Sequence, residues 1–96
     1  MTDEAILITG AGSGMGQLAA RTFAEKGYPV AALDVNEKGL LETAENHQNI
    51  RTFNTDVTNY EAVMQVVEET EEKLGPIRRV YNAAATLPSG MMAAAL

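Results

Sequence analysis

The sequence contains no cysteine, which excludes disulfides and thiolate metal sites and is compatible with a reducing cytoplasm. Its one histidine, His47, has no second histidine or cysteine at ligand spacing, so no metal site is expected. Basic residues are also scarce. Seven Lys and Arg against 13 Asp and Glu give a net charge of -6, and among the cations only Arg78 and Arg79 are adjacent. Nucleic acid and anionic membranes attract clustered cations, so neither is an expected partner. No apolar run approaches the roughly 18 residues of a membrane span. The opening "MTDEAILITG" places acids where a signal peptide needs bases. A soluble, cytoplasmic protein is the expectation.

What is present is a regular alternation of apolar runs and amphipathic segments. The 96 residues, 46% apolar, suit one domain over 1–96 with a modest core, and residues 86–96 read as a loop or tail. "AILIT", residues 5–9, is a short continuous apolar run of the kind found in a buried parallel strand. Beyond a glycine-rich stretch, Met15, Leu18, Ala19 and Phe23 recur at helical spacing, predicting an inward face on a helix that stops near Lys26 and Gly27. "PVAALD", residues 29–34, reads as a second strand. Asn36 can cap the next helix, with Leu40, Leu41 and Ala44 inward, although Gly39 weakens that helix by about 1 kcal/mol relative to Ala.

"IRTFNT", residues 50–55, alternates as an edge strand would. The next helix is expected over about 59–74, with Thr58 and Glu61 as a capping box. Val63, Val66, Val67, Thr70 and Leu74 form its inward face, and Gly75 with Pro76 its stop. "IRRVYN", residues 77–82, follows as a fourth strand. Such a β-α-β-α-β-α-β order makes a Rossmann-type three-layer α/β/α fold with a mostly parallel sheet. If the glycine loop follows the first strand of a dinucleotide half-fold, the strand order is 3-2-1-4.

The loop itself is "TGAGSGMG", residues 9–16. Glycines between a strand and a helix let backbone approach a pyrophosphate, and the helix amino terminus adds unpaired N–H groups and the positive end of a dipole. Gly16 would also let the helix pack close to the sheet. Asp34, at the end of the second strand, can accept hydrogen bonds from the adenosine ribose and would repel a 2'-phosphate. Its neighbours Ser13 and Val35 carry no charge that could hold that phosphate, so NAD is favoured over NADP.

With these residues in place, the chain resembles the short-chain dehydrogenases/reductases. Thr9, Gly10, Gly14 and Gly16 match that family's TGxxxGxG motif, Asp56 and Val57 its adenine-contacting pair, and "GPIRRVYNAAA", residues 75–85, its GxIDVLVNNAG stretch. The resemblance implies that Gly10, Ser13, Gly14, Met15 and Gly16 surround the pyrophosphate and that Asp56 and Val57 lie at the adenine. It gives Asn82 either a structural role or one at the cofactor, and takes the cofactor past the backbone of Ala83 and Ala84. It also implies hydride transfer between NAD and an alcohol or carbonyl carbon.

There are two departures from the pattern. Only the first Asn and the third-position Ala of NNAG survive. Arg78 and Arg79 replace Asp and an apolar residue, so one arginine must snorkel outward from a covered sheet face or pair with an acid.

The family's catalytic Tyr-xxx-Lys pair is absent. Four residues after Tyr28, Tyr60 and Tyr81 stand Ala32, Met64 and Ala85, so no catalytic residue is assigned. Relative to the full family fold the sheet is truncated, and a fourth strand without a fifth beside it would leave an open edge. A homo-oligomer that pairs this edge is expected. The alternative to an oxidoreductase portion is a non-catalytic nucleotide-binding or interaction module derived from the same fold.

Overall fold

The structure, a computed structural model, describes residues 4–83. Seven elements alternate along them: β1 (Ala5–Thr9), α1 (Gly14–Glu25), β2 (Val30–Asp34), α2 (Glu37–Ala44), β3 (Ile50–Asn54), α3 (Tyr60–Lys73) and β4 (Ile77–Asn82). All three strand pairs are parallel, and the order across the sheet is β3-β2-β1-β4, as the sequence predicts. Parallel neighbours need a crossover between them, and each helix supplies one.

Alternation along the two central strands divides the core. Ile6, Ile8, Val30 and Ala32 face α1 and α2, where they meet Ala20, Ala24 and Leu40. Leu7, Ala31 and Leu33 face α3, where they meet Val63, Val66 and Val67. Because both faces are covered, β1 is buried at all five positions and reads as a continuous apolar run.

Two helices are rotated from the orientation that apolar spacing predicts. On α1, Gly16, Ala20 and Ala24 face the sheet, while Met15 and Leu18 are 65% and 60% exposed. Only Ala19 and Phe23 of the expected face pack against the core, and both are partly buried. The cause lies at the start of the helix. A Cβ on Gly16 would stand 2.0 Å from the Gly10 carbonyl oxygen, so this face must be the one nearest the loop, and small residues at four-residue spacing let the axis approach the sheet. On α2, Gly39, Leu40 and Thr43 are buried, Ala44 is partly buried, and Leu41 is 61% exposed. Here a Cβ on Gly39 would stand 2.2 Å from the Gly12 oxygen.

The inward face of α3 is as expected, but its cap is not. Asn59 caps the helix by accepting from the Ala62 N–H at 3.1 Å. Thr58 lies one residue before the cap position, and its N–H and hydroxyl both donate to Asp56 Oδ1, at 2.9 and 2.6 Å. The capping box with Glu61 therefore does not form.

On β4, pairing with β1 passes from Ala5–Ile77 to Ile6–Arg79, so Arg78 is an extra residue in the ladder. The bulge lets Ile77 and Val80 both reach the α3 face although they are three residues apart, and puts Tyr81 on the opposite face. Both arginines are exposed. Arg79 reaches across the sheet to hold its guanidinium 5.9 Å from the centre of the Tyr28 ring, which is the outward course expected for one of the pair.

Candidate functional site

The glycine loop leaves β1 at its carboxyl-terminal end and turns through Gly10 and Gly14, whose φ values of 66° and 55° favour residues without a Cβ. The Ala11 N–H donates to the Leu33 oxygen at 3.0 Å and the Gly12 N–H to Asp34 Oδ2 at 2.8 Å, so the turn is tied to the end of β2. Ser13 is the N-cap of α1. Its backbone is extended and its side chain accepts no hydrogen bond from the helix. The first turn, with the N–H groups of Gly14, Met15 and Gly16, therefore has no cap from the Ser13 side chain and carries the positive end of the helix dipole.

Asp34 stands beside this turn, half-buried. Oδ2 accepts from Gly12 and Oδ1 from the Asn36 N–H at 3.0 Å, which leaves further acceptor capacity on each oxygen. Asn36 is held in turn as the cap of α2, accepting from the Gly39 N–H at 3.1 Å. The carboxylate is thus oriented by backbone on both sides and still open to a ligand.

The ends of β2 and β3 are bound together. The Thr55 N–H donates to the Asp34 carbonyl at 2.9 Å, and the Asn54 amide donates to the carbonyls of Asp34 and Val35 at 3.2 and 3.0 Å. This brings Asp56 to the same end of the sheet as Asp34 and the loop. Asp56 is exposed, and the Thr58 hydroxyl, followed by the Thr58 N–H, holds its carboxyl below the ordinary 3.8. The Val57 side chain is buried in the core against α3, so only its backbone is available to a ligand.

Asn82 accepts from the Thr9 hydroxyl at 2.7 Å, and the Ala83 N–H donates to the Thr9 carbonyl at 3.2 Å. Both contacts fasten the end of β4 to the end of β1. Ala84 lies outside the described residues. The structure therefore brings Gly10, Ser13, Gly14, Met15, Gly16, Asp34 and Asp56 to one end of the sheet. Sequence reasoning passed over Gly12 and Asn36, the two partners of the Asp34 carboxylate. The sign for Gly12 was present as the one glycine of the loop outside the TGxxxGxG positions.

Two open clefts are also present, one away from the loop and one reaching Asp56. One, of about 470 Å³, runs between α1 and the end of α2, where Arg21 donates to the Glu42 carbonyl at 2.8 Å and His47 Nδ1 lies 2.8 Å from the Glu45 carbonyl oxygen. The other, of about 320 Å³, lies between Phe53 and α3 and includes Asp56 in its lining. Among the described residues no group of three His, Cys, Asp or Glu is arranged to hold a metal ion, and no helix is long and apolar enough to cross a membrane.

The short chain dehydrogenase family model matches residues 4–95. An uncharacterized oxidoreductase of Staphylococcus saprophyticus is 35% identical over 94 residues, which cover 93% of this chain and 40% of that protein. A short chain dehydrogenase structure from Bacillus anthracis superposes with a TM-score of 0.80 at 31% identity, covering 86% of this chain and 35% of that one. A 3-ketoacyl-(acyl-carrier-protein) reductase from Brucella melitensis, solved in complex with NADH, gives a TM-score of 0.74 at 29% identity, covering 80% of this chain and 32% of that one. The chain thus spans two fifths or less of the length of each of these relatives. A glycine loop opening an uncapped helix, an acid at the end of the neighbouring strand and a 3-2-1-4 parallel sheet agree with that match over nearly the whole sequence, and the chain belongs to the short-chain dehydrogenase family.

Proposed function

We propose that this chain is the NAD-binding portion of a short-chain dehydrogenase/reductase. The observation that carries the reading is the half-buried Asp34 carboxylate, oriented by Gly12 and Asn36 beside the uncapped first turn of α1. The N–H groups of Gly14, Met15 and Gly16 suit the pyrophosphate, with Gly10 giving the close approach and Ser13 at the cap. Asp34 accepts from the ribose hydroxyls and places negative charge where NADP would carry its 2'-phosphate. Asp56 and the Val57 backbone suit the adenine, and Asn82, Ala83 and Ala84 are the further residues assigned to the cofactor, by the family resemblance. The NADH complex of the Brucella reductase supports the choice of cofactor class.

When bound, the nicotinamide of such a cofactor exchanges hydride with an alcohol or carbonyl carbon. This chain's residues bind and orient the dinucleotide. None of its tyrosines has a lysine four residues on to hold a proton for that exchange. The second reading is a non-catalytic nucleotide-binding or interaction module derived from the same fold.

Titration of the purified chain with NAD and NADP tests the assignment. Binding of NAD with weaker binding of NADP is expected. Equal affinity for the two, or no binding of either, would overturn it. Assay with alcohols separates the two readings: turnover by these 96 residues would show a catalytic set that the sequence does not reveal. The setting we infer is cytoplasmic, and the assembly a homo-oligomer, since β4 has a strand partner on one side only among the described residues. Sedimentation is expected to show self-association, and a stable monomer at micromolar concentration would oppose it.

A further inference from the structure

We propose that Thr43, brought within reach by Gly39, is a positioning residue for the nucleotide loop, and that through the Ala11–Gly12 peptide it sets the direction of the Asp34 carboxylate. The proposal rests on the dinucleotide reading above. Thr43 is fully buried on α2, so it cannot itself touch a bound dinucleotide.

Its hydroxyl lies 2.7 Å from the Ala11 carbonyl oxygen and 2.9 Å from the Gly39 carbonyl oxygen, and it accepts from the Gln17 amide at 3.0 Å. One hydroxyl proton serves two carbonyls. The Gly39 oxygen also has the acceptor role of the helix ladder, whereas the Ala11 oxygen belongs to an irregular loop and lies closer.

The Ala11 carbonyl and the Gly12 N–H belong to one trans peptide unit, so they point in opposite directions from a single plane. Thr43 holds the oxygen of that plane, and Asp34 Oδ2 takes its N–H at 2.8 Å. The peptide is gripped from both sides. Releasing the oxygen lets the plane rotate, and the carboxylate then loses the partner that aims it.

Gly39 makes this reach possible. A Cβ there would stand 2.2 Å from the Gly12 oxygen and 2.6 Å from the Asn36 amide nitrogen, so any side chain would push α2 away from the loop and carry Thr43 out of range. The glycine that weakens the helix is thus required by the contact.

Thr43→Val removes the hydroxyl and keeps the shape, while Thr43→Ser keeps the hydroxyl. Titration of the whole chain is expected to show about a tenfold loss of NAD affinity in Thr43→Val, with a smaller preference for NAD over NADP, and to show both within about twofold of the parent in Thr43→Ser. A general loss of stability would not change the cofactor preference or be rescued by Ser. In the cofactor-free chain, amide exchange at Gly12 should be faster in Thr43→Val. This measurement tests the peptide grip even if the parent binds no NAD, an outcome that would remove the dinucleotide reading alone. If Thr43→Val does not fold, Gln17→Met, which removes the amide that orients the hydroxyl, should speed Gly12 exchange and lower NAD affinity about two- to threefold. A folded Thr43→Val, or in its place Gln17→Met, with unchanged Gly12 exchange and unchanged cofactor preference would overturn the proposal.

Discussion

The Gly12 N–H donates to Asp34 Oδ2 at 2.8 Å across 22 positions of sequence, so the acid that ends β2 also holds the loop that follows β1. Ligand binding and loop geometry share one carboxylate. Asp34→Ala should therefore weaken NAD binding, reduce discrimination against NADP and destabilise the cofactor-free chain by about 1–2 kcal/mol, because two backbone N–H groups lose a charged acceptor. Urea denaturation without cofactor checks the last point, and a loss no larger than that of an ordinary surface acid would contradict it.

The glycines of the loop should differ in their tolerance of Ala. Gly16→Ala forces a Cβ to within 2.0 Å of the Gly10 oxygen, and since that atom is backbone the helix must move. A loss of about 2–4 kcal/mol and of NAD binding is expected. At Gly14 nothing lies within 4 Å, and only the φ of 55° opposes a side chain, so Gly14→Ala should cost about 1 kcal/mol. Chemical denaturation of the two variants should rank them in this order.

Thr70 is fully buried on the inner face of α3, and among the described residues its hydroxyl has no hydrogen-bond partner. Thr70→Val keeps the shape and removes an unsatisfied polar atom. It should raise stability by about 1 kcal/mol, read as an increase in the urea midpoint. A lower midpoint would reveal a partner for the hydroxyl.

Asp56 should titrate below 3.8, chiefly because of the Thr58 hydroxyl and next because of the Thr58 N–H. A carboxyl lowered by folding contributes stability that is present above its unfolded value and is lost as pH falls through its folded value. That window lies in acid, below 3.8. In Thr58→Val the N–H remains and the hydroxyl is gone, so the Asp56 midpoint followed by NMR should rise toward 3.8 without passing it. An unchanged midpoint would assign the shift to another cause.

Much of the fold was legible because each element carries its own local signal. The apolar run of residues 5–9 marks a strand buried on both faces, and the Gly75–Pro76 pair marks the end of α3. The loop glycines and Asp34 were legible for a similar reason, since a turn between strand and helix and an acid at the end of the next strand form a spaced pattern. Asn59 was passed over as a cap because Thr58 offers a capping box with Glu61. In the structure α3 starts at Tyr60, which puts Asn59 at the cap, while the Thr58 hydroxyl donates to the Asp56 carboxylate.

The order of elements, the parallel sheet and the position of the nucleotide loop follow from local chemistry written along the chain: apolar period, caps and glycine turns. Helix rotation does not. Met15, Leu18 and Leu41 are apolar at helical spacing and still face outward, because α1 and α2 are turned by backbone contacts of Gly16 with Gly10 and of Gly39 with Gly12. Those contacts join segments distant in the chain or in different conformations, and only packing in three dimensions brings them within 4 Å. The grip on the Ala11–Gly12 peptide arises in the same way, from Thr43 on one side and Asp34 on the other.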